Sequence, residues 1–212
     1  MNASGSRRGR PPGRSGSELL DVARGVFLDN GYAGTTMDEV ATRARISKSS
    51  LYREHPSKAA LFEAVVLHWA AAGRHAMRPS LHQLESADDV RASLLAWAQT
   101  LLGGILSPTV VEMRRLVTAE AARQPEVGVA YLRQSWASNI GDLADTLRAL
   151  DARGALRVPD PEVSAEQLTW LVVGPPLNAR MLGGDVADGA GGVERAIALF
   201  LAGHRPPGAS AG

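Results

Sequence analysis

Side chains able to donate hydrogen bonds crowd into one short stretch, residues 46–58, which reads ISKSSLYREHPSK, and five of them fall within residues 48–53. Lys48, Ser49, Ser50, Tyr52 and Arg53 offer ammonium, hydroxyl, phenol and guanidinium donors, the types that phosphate oxygens and base edges accept. The chemistry they could do is recognition of a polyanion. No bond-making constellation competes with it. His68, His75 and His82 recur at a spacing of seven, but residues so placed on one helix lie about 10 Å apart at ~1.5 Å per residue, too far to share one metal ion. Glu112, Glu120, Asp142 and Asp145 are scattered carboxylates with no partnered nucleophile or base. No glycine-rich phosphate loop follows a strand. The absence of cysteine excludes thiol nucleophiles, disulfides and Cys-ligated metals. No catalytic residue, metal site or cofactor is therefore expected.

Charge is distributed in the same sense. The formal net charge is +1 over 212 residues, yet residues 1–58 hold ten Lys and Arg against six acids, which leaves the remainder net acidic. A basic N-terminal quarter on an acidic body points to a polyanion at one end. Glu18, Asp21 and Asp29 interrupt any signal-peptide core, and no apolar run approaches the ~18 residues of a membrane span. With the missing cysteines, this leads us to expect a cytoplasmic chain with no membrane partner.

The elements that must position these donors read as helices throughout, an all-α fold of about nine helices. A helix of roughly two turns is marginal alone, since isolated helices below about 12 residues barely form in water; the donor-bearing segment must be held by neighbours. Ser15 and Glu18 have capping-box spacing, and Leu19, Ala23, Val26 and Phe27 form one face of a helix ending near Gly31. Thr36 to Glu39 is a second capping box, opening a short helix with Val40, Ala41 and Ala44 inward. Ser47 can cap a third helix, anchored by Leu51 and ended by Pro56. Ser57 can cap a fourth, through Leu61, Val65, Leu67 and Trp69 toward Arg78, before Pro79. Further helices are expected at about 86–106, 109–123, 125–152, 161–182 and 189–203. Pro108, Pro125 and Pro161 stand at their starts, while Gly154, Gly183 and Gly184 stand past ends. ValGlyProProLeu at 173–177 should kink its helix. Residues 1–14 and 205–212, rich in Gly, Pro and small polar residues, are expected to be disordered.

A four-residue connection between the second and third helices is the layout of a helix-turn-helix, whose second helix enters the DNA major groove. Composition alone would fit a three-helix bundle with a polar surface equally well. The joint pattern over residues 19–62, from LeuLeuAspValAla through Phe27, GlyTyr, ThrThr, ValAla, Ala44, IleSerLys and LeuTyr to Ser57-Lys58 and LeuPhe, resembles the DNA-binding domain of the TetR family of bacterial transcriptional repressors. The resemblance implies a homodimer that presents two helix-turn-helix units to a palindromic double-stranded operator. It divides the chain into a basic arm (1–14), a DNA-binding domain (15–62, with the motif at 36–55), an effector-binding and dimerisation domain (63–204) and a tail (205–212). RLVTAEAARQPEV (115–127) and RGALRVPDPEVSAEQ farther on resemble the AefR-like branch.

Carried over by position, the resemblance makes Thr36 a backbone contact, Lys48, Ser49, Ser50 and Arg53 the groove-facing residues, and Tyr52 and Lys58 phosphate contacts. A lysine in a helix's first turn opposes the macrodipole unless an anion sits there, which a phosphate would supply. Two positions depart from the family pattern. Arg45 replaces the turn glycine, so a positive φ there would cost about 1–2 kcal/mol unless a phosphate contact offsets it. His55 replaces a phenylalanine, as a packing substitution or a phosphate contact. Arg8-Gly9-Arg10-Pro11 has the form of a minor-groove arm, with Arg8 and Arg10 as the inserting residues.

In the C-terminal domain the resemblance implies a small-molecule effector, apolar or aromatic, in a pocket lined by Trp69, Trp97, Leu101, Met113, Leu116, Trp136, Asn139, Trp170 and Asn178. It also implies dimerisation through the last two helices, by Leu168, Leu171, Val172, Leu177, Ile197 and Phe200. The expected function is a ligand-released repressor. The alternatives are a helical enzyme or carrier using the C-terminal cavity, and an activator without a small-molecule effector.

Overall fold

Three small polar side chains start three helices in the N-terminal part. In the computed structural model, which describes residues 16–185 and 189–206, the Thr36 hydroxyl accepts from the Glu39 amide, that of Ser47 from Ser50, and that of Ser57 from Ala60. The helices so opened are α2 (Met37–Ala44), α3 (Lys48–Glu54) and α4 (Lys58–Glu85). α1 (Ser17–Gly34) precedes them and is interrupted at Gly31, whose φ of 68° and ψ of 172° suit glycine alone. The buried Thr35 hydroxyl secures that break by donating to the carbonyls of Gly31 and Val26. The Ser15 cap lies outside the described residues; Gly16 occupies the N-cap of α1 with no side-chain bond.

The chain divides into two units between His68 and Trp69. The described part of the first is held by Leu19, Ala23, Val26 and Phe27 of α1, Val40, Ala41 and Ala44 of α2, Leu51 of α3, and Leu61, Phe62, Val65 and Val66 of α4, all buried. The Phe62 ring packs tilted against Phe27 and Tyr32, with centroids 5.0 and 5.1 Å apart. Such aromatic packing adds specific geometry to the area buried.

The second unit comprises the rest of α4, then α5 (Val90–Ile105), α6 (Pro108–Ala121), α7 (Pro125–Tyr131), a π-helical segment (Leu132–Ala137), α8 (Ser138–Ala152), α9 (Pro161–Met181) and α10 (Gly189–Gly203). Pro108, Pro125 and Pro161 take first helical positions, where the missing N–H costs nothing. Gly154 and Gly183 follow helix ends with φ of 72° and 83°. The core is built from Leu94, Trp97, Leu143, Leu147, Leu150, Leu168, Val172, Ile197 and Phe200 among others. Among the described residues there is no strand.

Two local expectations change. α4 does not stop before Pro79 but continues to Glu85. Met77, Leu81 and Leu84 on both sides of the proline are buried in the core, which offsets the ~3 kcal/mol that an interior proline costs. The run read as one helix over 125–152 contains the π-helical turn, where backbone bonds reach one residue farther and in which Trp136 lies. The basic arm with Arg8 and Arg10, and residues 207–212 of the tail, lie outside the described residues.

Candidate functional site

Recognition by a short helix requires that it be anchored from behind, and α3 has one anchor. Leu51 is fully buried, whereas Lys48, Ser49, Tyr52, Arg53 and Glu54 are exposed and Ser50 half-buried. The Ser47 hydroxyl contacts those of Ser49 and Ser50 at 2.9 Å each, so the first turn of α3 carries a small hydroxyl network. Tyr52 leaves 47% of its surface exposed. Thr36 is committed to capping α2 but remains exposed. His55 is the C-cap residue of α3; its amide donates to the Leu51 carbonyl at 2.8 Å, and its imidazole is half-buried.

Arg45 ends α2 in the left-handed region, at φ 59° and ψ 33°, the one non-glycine residue with positive φ among those described. Its amide donates to the Thr42 carbonyl, and the Ile46 amide to that of Ala41, which closes the turn. Arg45→Gly is expected to raise stability by up to about 1 kcal/mol, since relief of ~1–2 kcal/mol of left-handed strain exceeds the added unfolded-state entropy. Denaturant titration checks this; an unchanged or lower midpoint would show the turn to be unstrained.

The cations around α3 fall into two groups. Arg24 pairs with Asp21, Arg43 with Asp29 at 2.5 Å and Glu39 at 3.0 Å, and Lys48 with Asp38. The hydrogen bond from Arg43 to Asp29, with the nearby Glu39 charge, holds that guanidinium yet more firmly in its charged form. The Arg24 pair lies within α1, whereas the pairs of Arg43 and Lys48 tie α2 to α1 and α3. Arg45 and Arg53, in the turn before α3 and in its last turn, have no ion pair among the described residues. Two free guanidiniums thus bracket an exposed helix that also presents hydroxyls and a phenol, a surface suited to a polyanion.

Two of the expected DNA-contact residues have partners within the chain. Lys58 is the first. Its ammonium donates to the carbonyls of Tyr32 (2.8 Å), Ala33 (3.2 Å) and Thr35 (3.0 Å) and lies 4.6 Å from the Tyr32 ring centroid. Three donors meet three acceptors, so the cation serves the C-terminal carbonyls of α1. Lys48 is the second case, because Asp38 holds it. Asp38→Asn is expected to leave stability within ~0.5 kcal/mol, as the pair is exposed. It should also steepen the fall of log K for DNA with log salt by about 0.9, the equivalent of one more phosphate contact. A salt titration showing no change in slope would mean that Lys48 stays off the DNA.

The second unit contains a cavity of about 660 Å³ between α6, α7, the π-helical segment and α9. Trp136, Trp170 and Asn178 of the expected pocket residues line it, with Arg114, Tyr131, Leu177 and Met181. Trp136 and Trp170 stack at 4.8 Å with planes 6° apart. The Arg114 guanidinium lies 4.4 Å from the Trp136 ring and 5.7 Å from that of Tyr131, and burial lowers its readiness to carry charge while Tyr131 opposes that shift. Arg115, beside it in sequence, donates to the carbonyls of Arg180 and Met181 and so ties α6 to the end of α9.

The other expected lining residues are not brought there. Trp97 and Met113 are buried in the core, and Leu101 packs against it. Trp69 reaches the cavity wall only by stacking on Tyr131, at 5.4 Å. Leu116 is half-buried outside the lining, and the Asn139 amide donates to the Ser135 carbonyl. Arg114 went unrecognised in the sequence, although a signal was there: Val111, Arg114 and Val117 share one buried face of α6, and a cation at a core-facing position demands a reason.

The expected subunit contacts are also revised. Leu168, Val172, Leu177, Ile197 and Phe200 are buried within this chain, because the core-facing stripe of α9 and α10 takes them. A residue already covered cannot present surface to a partner. Leu171 remains available, and the large apolar side chains exposed on the same helices are Val163, Trp170 and Leu199.

Among the described residues no group of three or more His, Asp or Glu could hold a metal. No single helix there is long and apolar enough to cross a membrane; α5 and α6 together have that composition but meet at 63°. A helix-turn-helix with an anchored, cation-bracketed second helix, followed by an all-helical unit with an apolar cavity, defines a DNA-binding transcriptional regulator. Residues 19–65 match the model for bacterial regulatory proteins of the tetR family, and residues 92–206, over half of the chain, match that for the C-terminal domain of AefR-like transcriptional repressors. The chain belongs to the TetR family.

Its relatives agree on the fold. A Mesorhizobium loti MAFF303099 structure assigned to the TetR-family transcriptional regulators superposes with a TM-score of 0.85 at 26% identity, over 91% of this chain and 100% of that one. The flavonoid-responsive regulator FrrA gives 0.73 at 25% identity, over 92% and 100%. The transcriptional activator FasR of Mycolicibacterium smegmatis is 44% identical over 66 residues, 30% of either chain, so the match spans less than a third of that relative.

Proposed function

We propose that the chain is a homodimeric, sequence-specific repressor of the AefR-like branch, released from a palindromic operator by a small apolar or aromatic effector. The observation that carries the DNA half is the pairing pattern around α3: Arg45 and Arg53 free, Leu51 buried behind them, and Ser49, Ser50 and Tyr52 on the outward side. Arg53 and Ser50 read base edges, while Arg45 and Tyr52 meet phosphates. The basic arm, through Arg8 and Arg10, adds minor-groove contacts. Two copies are required because a two-fold site is read by a two-fold protein at fixed half-site spacing. The outward faces of α9 and α10, with Val163, Leu171 and Leu199, supply the contact between them. The effector occupies the cavity beside α6, and it acts through its differential affinity for two subunit arrangements.

A second reading, activation, draws on the activator FasR, whose similarity falls on part of the chain. Enzymatic use of the cavity finds no support in its lining, where no nucleophile stands beside a base. Footprinting the DNA around the gene for this chain, with transcript measurement in a strain lacking it, separates the readings. Protection over a promoter core and rising transcription on deletion are the expected results. Falling transcription with upstream protection would make the protein an activator.

A further inference from the structure

The cavity is mostly apolar, with Thr118, Tyr131 and Asn178 as neutral polar groups, and its one charged side chain has no counter-charge among the described residues. Arg114 is 8% exposed and lines the cavity. Its Nε is buried without a hydrogen bond, and no carboxylate pairs with its guanidinium among the described residues. The nearby buried acid of α6, Glu120, pairs with Arg123 at 3.6 Å and accepts from Gln124, and it does not line the cavity. Arginine cannot relieve its burial by losing the proton. The faces of Trp136 and Tyr131 offer cation–π contact, but that leaves the directional N–H donors unused.

We propose that this cavity binds a planar aromatic carboxylic acid, its carboxylate paired with the Arg114 guanidinium and its ring packed against the Trp136–Trp170 stack. The inference rests on reading the cavity as the effector site and adds the effector's chemical class. A carboxylate satisfies the forked donors of arginine in a bidentate manner, which a neutral effector cannot do. A flat ring suits walls made of stacked indoles and the Tyr131 phenol. The volume of about 660 Å³ holds a fused-ring acid with room to spare. The π-helical turn places Trp136 at this spot, as such turns often do at binding sites. Val129, Leu132 and Trp170 are exposed at the same cavity, so a second copy of the chain could lie over it. With Arg114 only 8% exposed, a small acid matches its forked donors better than a broad protein surface does.

Titration of the full chain with 2-naphthoate and with 2-naphthamide near neutral pH, followed by calorimetry and tryptophan fluorescence, tests the idea. These probes share shape and differ in charge. The acid is expected to bind about tenfold more tightly or better, the scale of a charge-assisted hydrogen bond. In Arg114→Met the two affinities should converge to within about twofold, and Arg114→Lys should retain part of the preference. Equal binding of both probes by the unaltered chain overturns the carboxylate assignment and leaves the cavity as an effector site. Binding of neither overturns the effector site as well, and a cavity found covered by a second copy in solution does the same. The comparison on the unaltered chain decides the matter even if Arg114→Met fails to fold.

Discussion

Leu51→Ala is expected to destabilise the first unit by about 2–5 kcal/mol, the range for truncating a fully buried leucine. α3 spans Lys48–Glu54, and Leu51 is its sole buried side chain. Removal of that anchor leaves a segment too short to remain helical alone. DNA affinity should collapse even where circular dichroism shows most helix retained, since the second unit does not depend on Leu51. Hydrogen exchange of the α3 amides, with DNA binding at low temperature, checks both parts. Retained protection and affinity would mean that α3 is held by contacts other than this side chain.

Lys58→Met is the second large effect. Loss of three hydrogen bonds from one ammonium to the carbonyls of Tyr32, Ala33 and Thr35 should cost about 1–3 kcal/mol, reduced from a fully buried value because the side chain is half-exposed. Phe62, Phe27 and Tyr32 pack just beneath, so loosening the end of α1 also loosens the aromatic cluster. A phosphate contact would give a different signature. It would leave the melting midpoint near its original value and flatten the salt dependence of DNA binding by about 0.9 in log–log slope. The expected result is the reverse: a lower midpoint and an unaltered slope in the folded range. Thermal unfolding and a salt titration on the same variant distinguish the two.

What could be read from the sequence was local and periodic. The three hydroxyl caps, the prolines at helix starts and the inward Leu51 follow from short-range rules, and each is where those rules put it. The left-handed Arg45 was implied by the missing glycine in the turn. Long-range partners were not legible. Lys58 bonds to carbonyls more than twenty residues away, and nothing in its neighbourhood signals that. Pro79 reads as a stop because its cost is local, whereas the burial of Met77, Leu81 and Leu84 that offsets it is tertiary. The same limit governed the cavity. Large apolar residues of helical periodicity look alike whether they fill a core, as Trp97 and Met113 do, or line a cavity, as Trp136 and Trp170 do. Burial of Leu168, Val172, Ile197 and Phe200 inside the chain likewise could not be told from burial against a second copy.

The most direct test is selection of double-stranded DNA from a random pool by the full chain and by Arg53→Ala, sequenced at fixed salt. The unaltered chain should enrich one palindromic sequence with two half-sites at constant spacing. Arg53→Ala should bind more weakly and lose preference at one symmetric pair of positions, at about 1–3 kcal/mol per base contact removed. Enrichment of no sequence, or an unchanged preference in Arg53→Ala, would contradict the assignment of α3 as the element that reads DNA.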